Sequence, residues 1–148
     1  MTTPGTEART GSPLRSATFR NRTYWASTGF AALALGATGA ADLLRVSPIM
    51  ENLAHLGYPA YFAAILGTWE LLGAAAIVAP GLPRVKEWAY AGMFFTLTGA
   101  ALSHAASGDP GGRVLLPLVV LSAVVLSWTL QSARRRLFVA ESAGRQAA

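Results

Sequence analysis

Glu70 stands inside ILGTWELLGAAAIVAP, residues 65–80, a run otherwise made almost entirely of small or apolar side chains. A carboxylic acid so placed can handle a proton, anchor a ligand or bond one helix to another. Hydrocarbon penalises the ionised form, and a neutral carboxyl donates one hydrogen bond while accepting others. Two readings stay open. In one, Glu70 is interhelical glue on a threonine or a backbone carbonyl; in the other it is the functional group that an intramembrane ionisable residue usually marks.

The remaining chemistry-bearing residues gather elsewhere. Asp42, Arg45, Glu51, His55, His104, Asp109 and Arg113 fall at the ends of apolar runs or between them. His104 could exchange a proton near neutral pH or hydrogen-bond a carbonyl-bearing ligand. Asp42, His55, His104 and Asp109 have suitable donor atoms for a metal, but no ligand spacing joins them, and no metal is expected. Arg45 follows Asp42 by three residues, the spacing of a helical ion pair. No Walker loop, dinucleotide fingerprint, nucleophile elbow or HExxH motif occurs, which argues against an autonomous hydrolase or an ATP-driven pump. The chain has no cysteine, so it holds no thiol redox centre and no Cys-ligated metal. Redox chemistry would need a bound cofactor or a partner subunit.

Positioning these residues falls to long apolar segments. The 148 residues are 53% hydrophobic and 13% charged, about half the charge of an ordinary soluble domain. Four runs, about 24–43, 59–79, 87–106 and 114–131, are each near the length that crosses a hydrocarbon core of about 30 Å as a helix. Long uncharged runs without alternation point to helices rather than a barrel. The expected fold is all-α, a four-transmembrane-helix bundle. A disordered arm is expected over 1–23 and a basic and polar tail over 134–148. Arg15, Arg20 and Arg22 before WASTGFAALALGA imitate a secretory signal, but that run is long for a signal core and three more spans follow, so the first span is expected to be retained.

Ten Lys and Arg fall on one side of this arrangement and two on the other, which places both termini in the cytoplasm. The same asymmetry makes topology, rather than nucleic-acid binding, the reason for the net charge of +5. The outer segment between the first two spans has Ile49, Met50, Leu53 and Leu56 at helical spacing, which predicts a short amphipathic surface helix.

At about 1.5 Å per residue, Glu70 lies about 16 Å below the outer face, near the midplane. Asp42 and His104 lie roughly 24–27 Å from the inner face, near the outer boundary. Glu70 and His104 are therefore too far apart for a direct bond, and water or a ligand would have to bridge them. Thr96 and Thr98 share the level of Glu70, with Ser122 not far above. Gly67, Gly73 and Ala74 surround Glu70 on its helix face, and small residues let membrane helices approach closely. Matching stripes are expected at Gly29, Ala32, Gly36 and Ala40 on the first span and at Gly92, Thr96, Gly99 and Ser103 on the third. Glu70 is thus expected to face the bundle, and Glu70, His104, Asp42, Asp109 and Thr96 are the candidates for ligand binding or proton handling.

HLGYPAYFAAILGTWELLGA, residues 55–74, followed by KEWAYAGMFFTLTGAALSHAASGD, residues 86–109, resembles the DoxX-like family of small bacterial membrane proteins. The likeness runs over about residues 24–134, and Glu70, Glu87, Gly92, His104 and Asp109 fall on the family-like pattern. The resemblance implies a four-helix membrane bundle. The family takes its name from a subunit of a quinol-oxidising or thiosulfate:quinone-reducing complex, so the resemblance also implies a quinone-facing or accessory role beside a membrane redox partner. A bound lipid is the other small molecule that such a bundle would hold. Transport of a small solute coupled to protons is an alternative, which four short helices would serve as a homo-oligomer, and a purely structural role is a third.

Overall fold

The computed structural model describes the backbone of residues 13–146 and the side chains of 18–132. Five helices account for nearly all of it: α1 Pro13–Leu43, α2 Ser47–His55, α3 Tyr61–Val78, α4 Pro83–Ala106 and α5 Gly111–Gln146. The principal contacts join α1 to α3, α3 to α4, α4 to α5 and α5 back to α1. The four long helices therefore close a ring. The expected short outer helix is present as α2, which leaves α1 at a bend of 89°.

Inside the ring, Ala31, Leu35, Ala74, Ile77, Tyr90, Met93, Leu97 and Val124 form the core. Helices α1, α3 and α4 contribute them three or four residues apart, so one face of each turns inward, and α5 adds Val124. Many large apolar side chains outside that face, among them Leu33, Trp69, Phe95, Leu102 and Leu116, are exposed. Such an outward apolar surface suits lipid. Two helices are long and apolar enough to cross a membrane, Tyr61–Val78 and Gly111–Ser132, and α1 with α2 makes a third if the bent pair is one span. The protein is thus a helical membrane protein with two to three candidate spans, fewer by composition than the four expected. Helix α4 falls short because it begins with Arg84, Lys86 and Glu87 and carries Thr96, Thr98, Ser103 and His104, and α1 is diluted by hydroxyl and basic residues in its first half.

Helix ends also differ from expectation. Residues 13–23 are helical rather than an unstructured arm, while residues 1–12 lie outside the described residues. Hydropathy marks where a chain meets hydrocarbon, not where its helix stops. Residues 14–23 contain no Gly or Pro, and Pro13 suits a first helical position. The tail is helical to Gln146 because Ala, Arg, Leu and Glu, all strong helix formers, fill it.

The closest approach in the ring is between α1 and α3. A Cβ added to Gly39 would lie 2.9 Å from the Gly67 carbonyl oxygen, and one added to Gly67 would lie 2.6 Å from the Gly39 oxygen. Gly73 packs against Met93. The other expected stripes do not form. Space lies open around Gly29, Gly36, Gly92 and Gly99, and the packed face of α1 runs instead through Ala31, Leu35, Gly39 and Asp42.

At the opposite end of the ring lies a buried hydroxyl cluster. Ser127 on α5 bonds Thr28 on α1 at 2.5 Å and Tyr90 on α4 at 2.7 Å, tying three helices together. Beside it, Lys86 donates to the Ile77 carbonyl at 2.8 Å, capping the last turn of α3, where a cation meets the negative end of the helix dipole. Trp128 donates its indole N–H to Glu87 at 2.7 Å. Ser127→Ala removes both interhelical bonds and is expected to lower unfolding stability by about 0.6–1.7 kcal/mol, the range for interhelical hydrogen bonds in membranes. Reversible unfolding in mixed micelles measures it.

Candidate functional site

The glycine crossing of α1 and α3 sets two acids side by side. Gly39 faces the Glu70 Cβ and Gly67 faces the Asp42 Cβ, so each glycine makes room for the acid of the other helix. Glu70 is half-buried and accepts a hydrogen bond of 2.6 Å from the Thr38 hydroxyl. Asp42 is 3% exposed, and its carboxylate, when ionised, repels that of Glu70. No ion pair joins Asp42 to Arg45 among the described residues. Arg45 instead takes a left-handed conformation, φ 51°, and its backbone N–H closes the end of α1 on the Asp42 carbonyl at 3.1 Å.

Above the acids opens a cavity of about 740 Å³. Leu35, Leu66, Leu97 and Val120 give it apolar walls, Thr38, Asp42 and Glu70 its polar floor, and Glu51, His55, His104 and Arg113 its rim. Pro117 also lines it, inside α5; having no N–H, it leaves the Arg113 carbonyl without its helical donor. The cavity brings Glu70, Asp42 and His104 to one space, with no bond between Glu70 and His104, as their depths required.

Asp109 lies at the rim and is 5% exposed, covered by three partners rather than by the bundle interior. His104 donates to it from Nδ1 at 2.7 Å, His55 from Nε2 at 3.0 Å and Arg113 from Nη1 at 3.2 Å. An ionised carboxylate only accepts, so both rings must present an N–H. The bond from His104, aided by His55 and Arg113 against some desolvation, holds the Asp109 carboxyl below the usual carboxylate range. One side chain thereby clamps α2, α4 and α5. Among the described residues, no group of three His, Cys, Asp or Glu is arranged to hold a metal ion.

A second cavity of similar size, about 740 Å³, runs between α3 and α4. Ile65, Trp69, Val85 and Trp88 line it, and it is nearly all apolar apart from Glu70, Thr96 and Arg84. Thr96 therefore faces this groove, not the cavity above the acids, while Thr98 bonds carbonyls of its own helix and Ser122 does likewise. Glu70, Leu35 and Leu66 border both spaces.

The sequence model of the DoxX-like family matches residues 26–127 of this chain. The chain belongs to the DoxX-like family. No curated protein and no solved structure matches it. In this DoxX-like protein the matched segment contains both cavities, the Asp42–Glu70 pair and the Asp109 clamp. The first turns of α1 and the second half of α5 lie outside it. Thr38 is the site residue that sequence reasoning missed. Its signal is spacing: Ala31, Leu35, Thr38 and Asp42 follow one another at three and four residues, the same face that packs on α3.

Proposed function

We propose that this DoxX-like protein is a multi-pass protein of a bacterial inner membrane, crossing the bilayer with all four long helices and keeping both termini in the cytoplasm. In that setting it acts as a non-autonomous subunit that holds a small, largely apolar, quinone-like ligand in the outer cavity, beside a membrane redox partner. The observation that carries the reading is the cavity itself, of a size that ligand sites commonly have, with apolar walls and Thr38, Asp42 and Glu70 converging at its floor. The ten-to-two bias of Lys and Arg supports the orientation, and the lack of cysteine leaves thiol chemistry to the partner.

Mass spectrometry of small molecules co-purifying with wild type and with Glu70→Gln tests it, at matched fold and amount. A quinone-like or lipid-like molecule enriched on wild type and depleted several-fold on the variant is the expected result. Equal recovery from both would reduce Glu70 to interhelical glue. A second reading, proton-coupled transport of a small solute by a homo-oligomer, is favoured by one feature, the position of Glu70 on the border of both cavities. Flux into liposomes that tracks an imposed pH gradient would distinguish it.

A further inference from the structure

Asp42 is buried to 3% exposure, yet among the described residues its carboxylate makes no hydrogen bond and no ion pair. Its oxygens are not sealed in protein; among the described residues the one side-chain atom so sealed and without a partner is Gln131 Oε1. The Asp42 oxygens open into the outer cavity. The nearest charge across the α1–α3 crossing is Glu70, of the same sign. Around the cavity the acids are Asp42, Glu51 and Glu70, against the single guanidinium of Arg113, which is already engaged by Asp109. The space is therefore acidic although the chain as a whole carries +5.

A buried carboxylate without a partner is costly, and where it stays ionised rather than taking up a proton, the ligand chemistry that relieves it is restricted. A quinone carbonyl only accepts hydrogen bonds and offers an ionised acid nothing. An alcohol donates one hydrogen bond but brings no charge. An ammonium group donates up to three and neutralises one of two neighbouring acids, and such charge-assisted bonds are about twice as strong as neutral ones. The apolar walls would hold the rest of the molecule.

We propose that the outer cavity takes a protonated amine carried on a small apolar body, its ammonium bound by Asp42 with the Thr38–Glu70 pair beside it. This deepens the preceding reading and rests on it, because it assumes the outer cavity is a ligand site, and it replaces the quinone-like head with a cationic one.

The test is a comparison of three probes on wild-type protein in discs of zwitterionic phosphatidylcholine at pH 7, with empty discs as the partition control. The probes are 4-phenylbutylamine, its neutral isostere 4-phenylbutan-1-ol, and a decyl-substituted benzoquinone. The amine is expected to bind about tenfold tighter than the alcohol. Asp42→Asn should abolish that preference while leaving the alcohol's affinity near wild type. Ala34→Leu, which narrows the cavity without touching an acid, should weaken amine and alcohol alike. Should Asp42→Asn fail to fold, the wild-type comparison and Ala34→Leu decide the matter. If the alcohol or the quinone binds as tightly as the amine, the charge selectivity is wrong and the ligand cavity stands. If amine binding ignores Ala34→Leu, it occurs elsewhere and the proposal is overturned. Binding of none of the three to folded protein would sink the ligand cavity and the amine with it.

Discussion

Gly67→Val is expected to part α1 from α3 and to lower the thermal stability of the purified protein sharply. The clash is with backbone. A Cβ at Gly67 meets the Gly39 carbonyl oxygen at 2.6 Å and the Asp42 Cβ at 2.8 Å, and neither can rotate away. Relief requires the helix axes to separate, which forfeits the dispersion contacts along the crossing. Overpacking of this kind costs about 1–3 kcal/mol or more, and in a bilayer no hydrophobic force between helices compensates for it. The control lies on the facing helix, α1. Gly36→Ala adds a methyl with nothing within 4 Å, and the helix gains about 0.5–1 kcal/mol of conformational preference. Thermal scans in one detergent should show Gly67→Val destabilised and Gly36→Ala unchanged or improved. Equal behaviour of the two would mean that the crossing is not where this bundle is held.

Asp109→Leu is expected to free α2 from the ends of α4 and α5. Three donors converge on this one carboxylate, and His55 provides the described side-chain tie between α2 and that corner. Its loss should speed amide exchange across residues 49–56 roughly tenfold or more while the ring core stays protected. Acid should reproduce the effect. The folded-state pKa of Asp109 is lowered, so its contribution is complete above the ordinary Asp value of about 3.9 and is lost as pH falls through the lowered one. Exchange at 49–56, corrected for intrinsic rates, should therefore stay level from pH 8 to about 4. A loosening that begins well above pH 4 would show that the Asp109 carboxylate does not hold the corner.

Parts of this architecture were legible before any coordinates. Helix α3 begins two residues past its expected start because Pro59 and the run after it leave little choice. The small neighbours of Glu70 and the outer gathering of His55, His104, Asp109 and Arg113 follow from helical spacing and rise alone. What spacing could not give was the register of α1. That helix is so rich in Ala and Gly that several faces look equally small, and the stripe through Gly29 and Gly36 was as plausible as the true one through Leu35, Thr38, Gly39 and Asp42. Only the partner helix breaks the tie. Lys86 counts among the ten Lys and Arg that set the cytoplasmic side, yet it folds back onto the Ile77 carbonyl. A cation next to a helix end can serve either purpose, and the chain alone does not say which.

Glu70 belongs to two rooms at once. The groove open to lipid between α3 and α4 and the cavity beneath the polar rim share this one side chain, which holds a single rotamer at any moment. A molecule in the groove that favours one orientation of the carboxyl sets what the cavity offers its own guest. Linkage makes that influence mutual, each occupant changing the other's affinity by the same factor. Should the cavity hold the proposed ligand, the bilayer around this protein becomes a term in its binding equation, and an affinity measured in one lipid is then a property of the protein and that lipid together.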